Sequence, residues 1–219
     1  MTTPDVATAT APTPPPRIAA RVRRPGVCYA VSDDGVELAV IDVTHPAFAV
    51  AIDDAELRSR VAAFRRTQGG LARLPARLRR PLLRWFLRDS ELGRRIMRSD
   101  GTFMSGMDTY LLKLGPDNLD RRFHHPIDRV IADALPALSV RLRLQDVATL
   151  IAEAAAPALA AAPGRPWTIV DIAGGPALDA ANALLVLRRD HPGVLDGHVV
   201  DVAVLDRDRA GPGFGARAV

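Results

Sequence analysis

Hydrophobic positions recur along this chain first with the period of a strand, then with that of a helix, and finally with both in alternation. Residues 27–31 and 36–42 are β-branched runs on either side of Ser32-Asp33-Asp34-Gly35. Asp-Gly between two such runs predicts a hairpin, with Val36, Leu38 and Val40 on one face. Residues 44–52 are apolar but carry Pro46, and read as irregular chain or a short strand. Helical spacing then takes over. Asp53 is placed as an N-cap with Glu56 three positions on, and Leu57, Val61 and Phe64 recur on one side. Gly69-Gly70 is expected to stop that helix. A second helical region is predicted over 74–97, broken or restarted at Pro81. Its apolar side is Leu74, Leu78, Leu82, Trp85 and Phe86, with Trp85 and Phe86 expected in the core. Its other side is Arg73, Arg77, Arg80, Arg84 and Arg88.

Residues 107–114 read as a short helix, and Pro126 as the first turn of another. The stripe of that second helix is Ile127, Val130, Ile131, Ala134, Leu135 and Leu138. A helix over 144–156 turns Leu144, Val147 and Ile151 inward, and Pro157 ends or bends it. From Pro166 strand and helix alternate. Residues 167–173 form a short apolar strand, Gly174-Gly175-Pro176 a turn, and 177–189 a helix stopped by His191-Pro192-Gly193. Residues 198–206 form a second buried strand. The segment 207–219 can begin a further helix, with Gly211-Pro212-Gly213-Phe214-Gly215 read as a loop. The expected organisation is a tail over 1–25, disordered at least over 1–16. A β-hairpin plus helical region follows over 26–163, and the start of a βαβ unit over 164–219.

Composition narrows the class. The 219 residues are 48% hydrophobic and 25% charged, as in an ordinary globular chain. The single cysteine, Cys28, excludes an intramolecular disulfide and argues against a cysteine-based zinc site. No apolar run reaches the roughly 18 residues of a spanning helix, and residues 1–16 have no apolar stretch of the secretory kind. The expectation is a cytoplasmic protein with no membrane span. The net charge of +4 is mild, but 29 basic residues include only one lysine, Lys113. Thirteen arginines lie between Arg58 and Arg98, against Asp89 and Glu91.

The segment Asp171-Ile172-Ala173-Gly174-Gly175-Pro176-Ala177 carries the most chemical information. A strand ends in an acidic residue, and a turn of small residues opens a helix. Small residues let a ligand approach the backbone, and the helix start offers unpaired N–H groups. Thirty-five residues after Asp171 the next strand ends in Asp206, with Asp208 two further on. An acid in that place is where nucleotide-binding folds hold ribose hydroxyls. The dinucleotide pattern G-x-G-x-x-G is not met.

The segment instead resembles the first motif of the class I S-adenosylmethionine-dependent methyltransferases, an acid followed by x-G-x-G-x-G. Asp171 matches the acid. Ala173, Gly175 and Ala177 match the three glycine places, and Asp206 the ribose-binding acid. The strings TYLLKLGPDNL, RLRLQDVA and DIAGGPALDAANAL resemble a bacterial group of such enzymes, over roughly residues 35–219. The resemblance implies an α/β fold, a helical N-terminal cap followed by the opening βαβ of an incomplete Rossmann-like methyltransferase core. It implies S-adenosylmethionine as cofactor, held by Asp171, Ala173, Gly174, Gly175, Pro176, Asp206 and Asp208, and a small-molecule acceptor. Tyr110 and Lys113 are positions that could face the cofactor. No catalytic base is assigned and no metal is expected.

Two departures stand out. Alanine tolerates φ > 0 poorly, so the turn is expected to differ locally from the glycine form. The resemblance also implies seven strands, of which the given sequence supplies two, ending 48 residues after Asp171. The chain is therefore expected to be C-terminally truncated and inactive, or completed in a homodimer or by another chain, because a lone parallel pair leaves faces and edges bare.

Blander readings stay open. The turn also suits an unrelated α/β domain, and Asp206 and Asp208 suit ordinary N-caps. His124-His125-Pro126 reads as a surface loop or cap rather than a metal site. A rival of another class is a non-enzymatic helical protein whose Arg-rich helix binds an anionic partner, nucleic acid or a membrane surface. Nucleic acid is disfavoured by the poor aromatic interleaving.

Overall fold

The computed structural model describes residues 23–73, 75–99 and 104–218. Residues 1–22 of the expected tail over 1–25, and Leu74, lie outside them, whereas Arg23 pairs with Glu37 and Arg24 donates to the Asp117 carbonyl at 2.9 Å. The architecture is mixed α and β, mainly helical, with two small sheets. Strands β1 (Tyr29–Val31) and β2 (Glu37–Ala39) pair antiparallel, Tyr29 opposite Ala39 and Val31 opposite Glu37. Gly35, at φ +76°, makes the turn that the Asp-Gly pair predicts. Both faces of β2 are covered, so Glu37 is buried as well as Val36 and Leu38, and it pairs with Arg23.

Eight helices follow among the described residues. Helix α1 (Asp54–Ala72) starts where Asp53 accepts the Glu56 N–H at 2.8 Å, the expected cap. It runs through Gly69-Gly70, against expectation. A glycine stop needs a left-handed residue, and neither glycine has a positive φ. Helix α2 (Ala76–Leu87) contains Pro81, and the break comes at residues 88–90, where Ser90 caps α3 (Glu91–Arg98). Helices α4 (Gly106–Lys113) and α5 (Pro126–Asp133) begin at Ser105 and His125, whose side chains accept backbone N–H groups. Helix α6 (Leu135–Ala161) continues through Pro157 for 27 residues. Pro81 and Pro157 are both exposed, as are Arg77 and Glu153, whose carbonyls lose an N–H partner. Water on that side replaces the missing bond, which is why neither proline ends its helix.

By length and composition α6 is long and apolar enough to cross a bilayer, a reading the separate apolar runs did not suggest. Here it lies against α1, α4, α5 and α7, and buries Leu144, Ala148, Ala152, Ala156 and Leu159. The alanines at four-residue spacing let α7 (Leu178–Asp190) lie close along it.

Strands β3 (Trp167–Ile172) and β4 (Val200–Leu205) flank α7 and pair parallel, Asp171 opposite Val204 and Ile172 opposite Leu205. They are not buried as expected. Trp167 and Ile169 face the helices, while Ile172 and Leu205 are 76% and 60% exposed. The segment 211–215 is helical rather than a loop, within α8 (Ala210–Ala218). Arg217 of α8 donates to the Val31 carbonyl at 2.8 Å and pairs with Asp33. One buried cluster joins Val36 and Leu38 of the hairpin region, Leu144 of α6, Leu178 of α7 and Phe214 of α8.

Candidate functional site

The carboxyl ends of β3 and β4 bring the expected residues together. The Ala173 N–H donates to the Leu205 carbonyl at 2.7 Å, extending the ladder into the turn. The Gly175 N–H donates to Asp206 Oδ2 at 2.7 Å, and the Asp208 N–H to Asp206 Oδ1 at 2.8 Å. Asp206 therefore ties the turn after β3 to the loop after β4. Asp208 Oδ1 accepts from the Ala210 N–H at 3.0 Å, at the entry to α8. Neither acid is the N-cap of α8, because each accepts the N–H two residues on, as in an Asx turn, and Asp206 also braces the turn after β3.

All three glycine places of the motif are left-handed. Ala173 has φ +58°, Gly175 +54° and Ala177 +55°. The alanines do not avoid the conformation, contrary to expectation. They occupy it at a steric cost of about 1–2 kcal/mol each relative to a right-handed residue. Gly174 has its own requirement, because a Cβ there would fall within 2.2 Å of both Asp171 carboxylate oxygens.

The upper side of the turn is occupied by backbone. A Cβ on Gly106 would meet Gly175 Cα at 2.8 Å, one on Gly211 would meet the Gly175 carbonyl carbon at 2.9 Å, and one on Gly215 the Pro176 oxygen at 2.3 Å. The starts of α4 and α8 thus close over Gly175 and Pro176, both of them buried. Sequence reading missed these three glycines. Only the helices that the structure shows there reveal their use, since glycine in a helix costs about 1 kcal/mol unless something must come close.

Asp171 lies in an acidic group. Burial raises its pKa above the ordinary aspartate value, Asp179 and Asp206 add to the rise, and Lys113 opposes it. Its Oδ2 is buried without a hydrogen-bond partner, as is Oδ2 of Asp208. Lys113, at the end of α4, has its pKa lowered by burial, against attraction from Asp179 and Asp171. It faces this acidic group, whereas Tyr110 belongs to the core. The Tyr110 hydroxyl donates to the Ala39 carbonyl, and its ring meets Phe214 edge-on at 4.8 Å. Burial pushes the Tyr110 pKa far up. Asp179 was not singled out from the sequence. It stands in the first turn of α7, where an acid also answers the helix dipole.

Beside Asp208 a cleft of about 320 Å³ opens between the hairpin, α3, α4 and α8. Its apolar wall includes Leu38, Met107, Leu111 and Phe123. At its rim Arg95 pairs with Glu91 and Asp108 at 3.1 Å, and Arg122 with Asp34 at 3.0 Å. Burial opposes ionisation of Asp34, but the Ser32 hydroxyl, Arg122 and Arg95 outweigh it and hold its pKa low. His125 caps α5 through Nδ1, 3.3 Å from the Ile127 N–H. Among the described residues no group of three or more His, Cys, Asp or Glu side chains is placed to hold a metal ion.

Comparison of the chain with protein-family models, with curated proteins and with solved structures gave no match.

Proposed function

We propose that the chain binds S-adenosylmethionine at the carboxyl ends of β3 and β4 and serves methyl transfer to a small-molecule acceptor. The parallel β3–α7–β4 unit is then the opening of a Rossmann-like core, and the hairpin with α1–α6 its cap. The observation that carries the reading is the pair of buried, unpartnered carboxylate oxygens, on Asp171 at the end of β3 and on Asp208 in the loop after the neighbouring β4. Buried acceptors need donors. A cofactor with an ammonium group and ribose hydroxyls supplies both kinds, so the residues fit its chemistry. The room lies next to Asp208, between the hairpin, α3, α4 and α8, and the turn and Asp171 are not in its lining, because α4 and α8 cover Gly175.

Asp171 would accept from the cationic group, which would also favour its ionised form. Asp208 would accept from a hydroxyl, while Asp206 holds the Gly175 backbone in place. The apolar wall of Leu38, Met107, Leu111 and Phe123 would hold the acceptor and keep water from it. When bound, the cofactor supplies a sulfonium methyl open to in-line attack by the acceptor's nucleophile. No base is assigned. The outer face of the ribbon, with Val170, Ile172 and Leu205 exposed, is read as the seat of a second polypeptide, a like chain or a complementing one. A cytoplasmic setting fits this reading.

Calorimetric titration with S-adenosylhomocysteine tests it, together with sedimentation in the presence and absence of that ligand. Saturable binding is expected, weakened on the order of tenfold by Asp208→Ala, as for loss of one good hydrogen bond. Asp206→Ala should abolish it, with a melting curve taken because Asp206 also braces the turn. A folded chain that binds nothing overturns the proposal.

A further inference from the structure

Helix α2 lies on the outside of the protein with its apolar side uncovered. Leu78 is 53% exposed, Leu82 47%, Trp85 62% and Phe86 52%, so the expectation that Trp85 and Phe86 are core is overturned. The helix is fixed chiefly at its end, where Leu87 is buried and α3 packs on it. At 3.6 residues per turn, Pro81, Trp85, Leu78, Leu82 and Phe86 share an arc of about 140°. Arg77 and Arg88 border that arc on one side and Arg79 on the other. Residues 76–88 hold five arginines and no acid. Arg77, Arg79 and Arg84 make no ion pair among the described residues. Arg88 lies 5.5 Å over the Trp85 ring.

A second feature adjoins this face. A groove of about 320 Å³ runs between α2 and α3, lined by Arg84, Arg88, Arg94, Arg98, Leu87 and Met97. Arg88 and Arg94 have carboxylate partners in Asp89 and Glu91. Arg84 and Arg98 have none among the described residues. An anion between them would be chelated from two helices, with apolar surface directly beneath.

We propose that α2 docks the protein on an anionic lipid surface. The helix lies in the plane of the headgroups, with Leu78, Leu82, Trp85 and Phe86 toward the acyl chains. Its arginines lie at phosphate level, and one lipid phosphate sits in the groove between Arg84 and Arg98. A wide apolar arc bordered by arginines, carrying tryptophan and phenylalanine, is the pattern of an interfacial helix, and long arginine side chains reach from such a helix to the headgroups. Other occupants fit less well. Packing α2 against its counterpart in a second copy would crowd ten arginines with no acid in either segment. A nucleic acid would answer the arginines but leave Leu78, Leu82 and Phe86 facing water. This inference does not depend on the proposed methyl transfer.

The test uses vesicles of phosphatidylcholine, with and without phosphatidylglycerol. The unmodified chain should pellet with the anionic vesicles and stay in solution with the neutral ones, and salt should release it. With Trp167→Phe, Trp85 becomes the sole tryptophan, and its emission should shift to the blue on anionic vesicles but not with inorganic phosphate. Joint Arg84→Gln and Arg98→Gln should lower partitioning about thirtyfold, the value for two basic residues at a charged surface. Phe86→Ser should remove the blue shift while leaving circular dichroism unchanged, since Phe86 is half exposed and outside the buried cluster. Failure to pellet, or equal pelleting with neutral vesicles, overturns the proposal. So does a Trp85 shift that follows protein concentration without lipid, which assigns the face to a second copy. Retention of duplex DNA that survives Phe86→Ser, without vesicle binding, assigns the arginines to nucleic acid instead.

Discussion

The side chain of Asn182 on α7 accepts the Val43 N–H at 2.8 Å, and its amide donates back to the Ile41 carbonyl at 3.1 Å. Asn182 is fully buried, and its remaining donor reaches Leu178 O at 2.9 Å. One side chain thus fastens the chain after the hairpin to the helix that carries the candidate site. Asn182→Ala leaves a buried N–H and a buried carbonyl without partners. Stability should fall by about 2–4 kcal/mol, measured by denaturant unfolding.

Ala173 is left-handed and its methyl is exposed, so nothing in its packing repays the conformation. Ala173→Gly should stabilise the protein by about 0.5–1 kcal/mol, the strain relieved less the added freedom of the unfolded chain. Ala173→Val should do the reverse. Thermal melting of the three chains side by side decides the matter.

The glycines separate into two kinds. Gly69 has nothing within 4 Å of a built Cβ and sits in right-handed helix. Gly69→Ala should add about 1 kcal/mol of stability, or about 2–4 °C in the melting midpoint for a chain of this size. Gly215→Ala places a methyl against the Pro176 carbonyl, and should cost about 1–3 kcal/mol as α8 is pushed away. Equal effects of the two substitutions would show that α8 does not rest on the turn.

Asp171 predicts a dependence on pH. Burial, then Asp179 and Asp206, raise its folded pKa above the unfolded one. Between those two values the folded chain binds more protons, so stability falls as pH rises through that window. Asp171→Asn should raise the denaturation midpoint at neutral pH and leave it unchanged in strong acid, where the carboxyl is protonated in both states. The same substitution should weaken S-adenosylhomocysteine binding. A variant that is less stable at neutral pH contradicts the assigned environment.

Much of the fold was legible where local chemistry is decisive. Asp34-Gly35 marks the hairpin turn, Asp53 and Pro126 mark helix starts, and the apolar run before Gly174 marks β3. The errors came where solvent decided. Pro81 and Pro157 face water and do not end their helices, and the apolar side of α2 has the spacing of a core face without being covered. Gly211 and Gly215 looked like part of a loop because their use, close approach of α8 to the turn, involves residues some forty positions earlier. For the site, the acids at the strand ends could be read directly. Asp179, Gly106 and the cleft beside Asp208 could not, because they depend on how α4 and α8 meet β3.

Helix α2 packs chiefly on α3, whereas α6 and α7 share a long buried face. Its amide hydrogens can therefore exchange with solvent through a local opening that leaves the α6–α7 pair closed, at a small fraction of the global unfolding free energy. The slowest-exchanging amides belong at Ala148, Ala152 and Ala183, each fully buried. Rigidity is accordingly uneven, with α2 a lightly packed arm on an interior, shared by the hairpin, α6 and α7, that opens only when the whole chain unfolds.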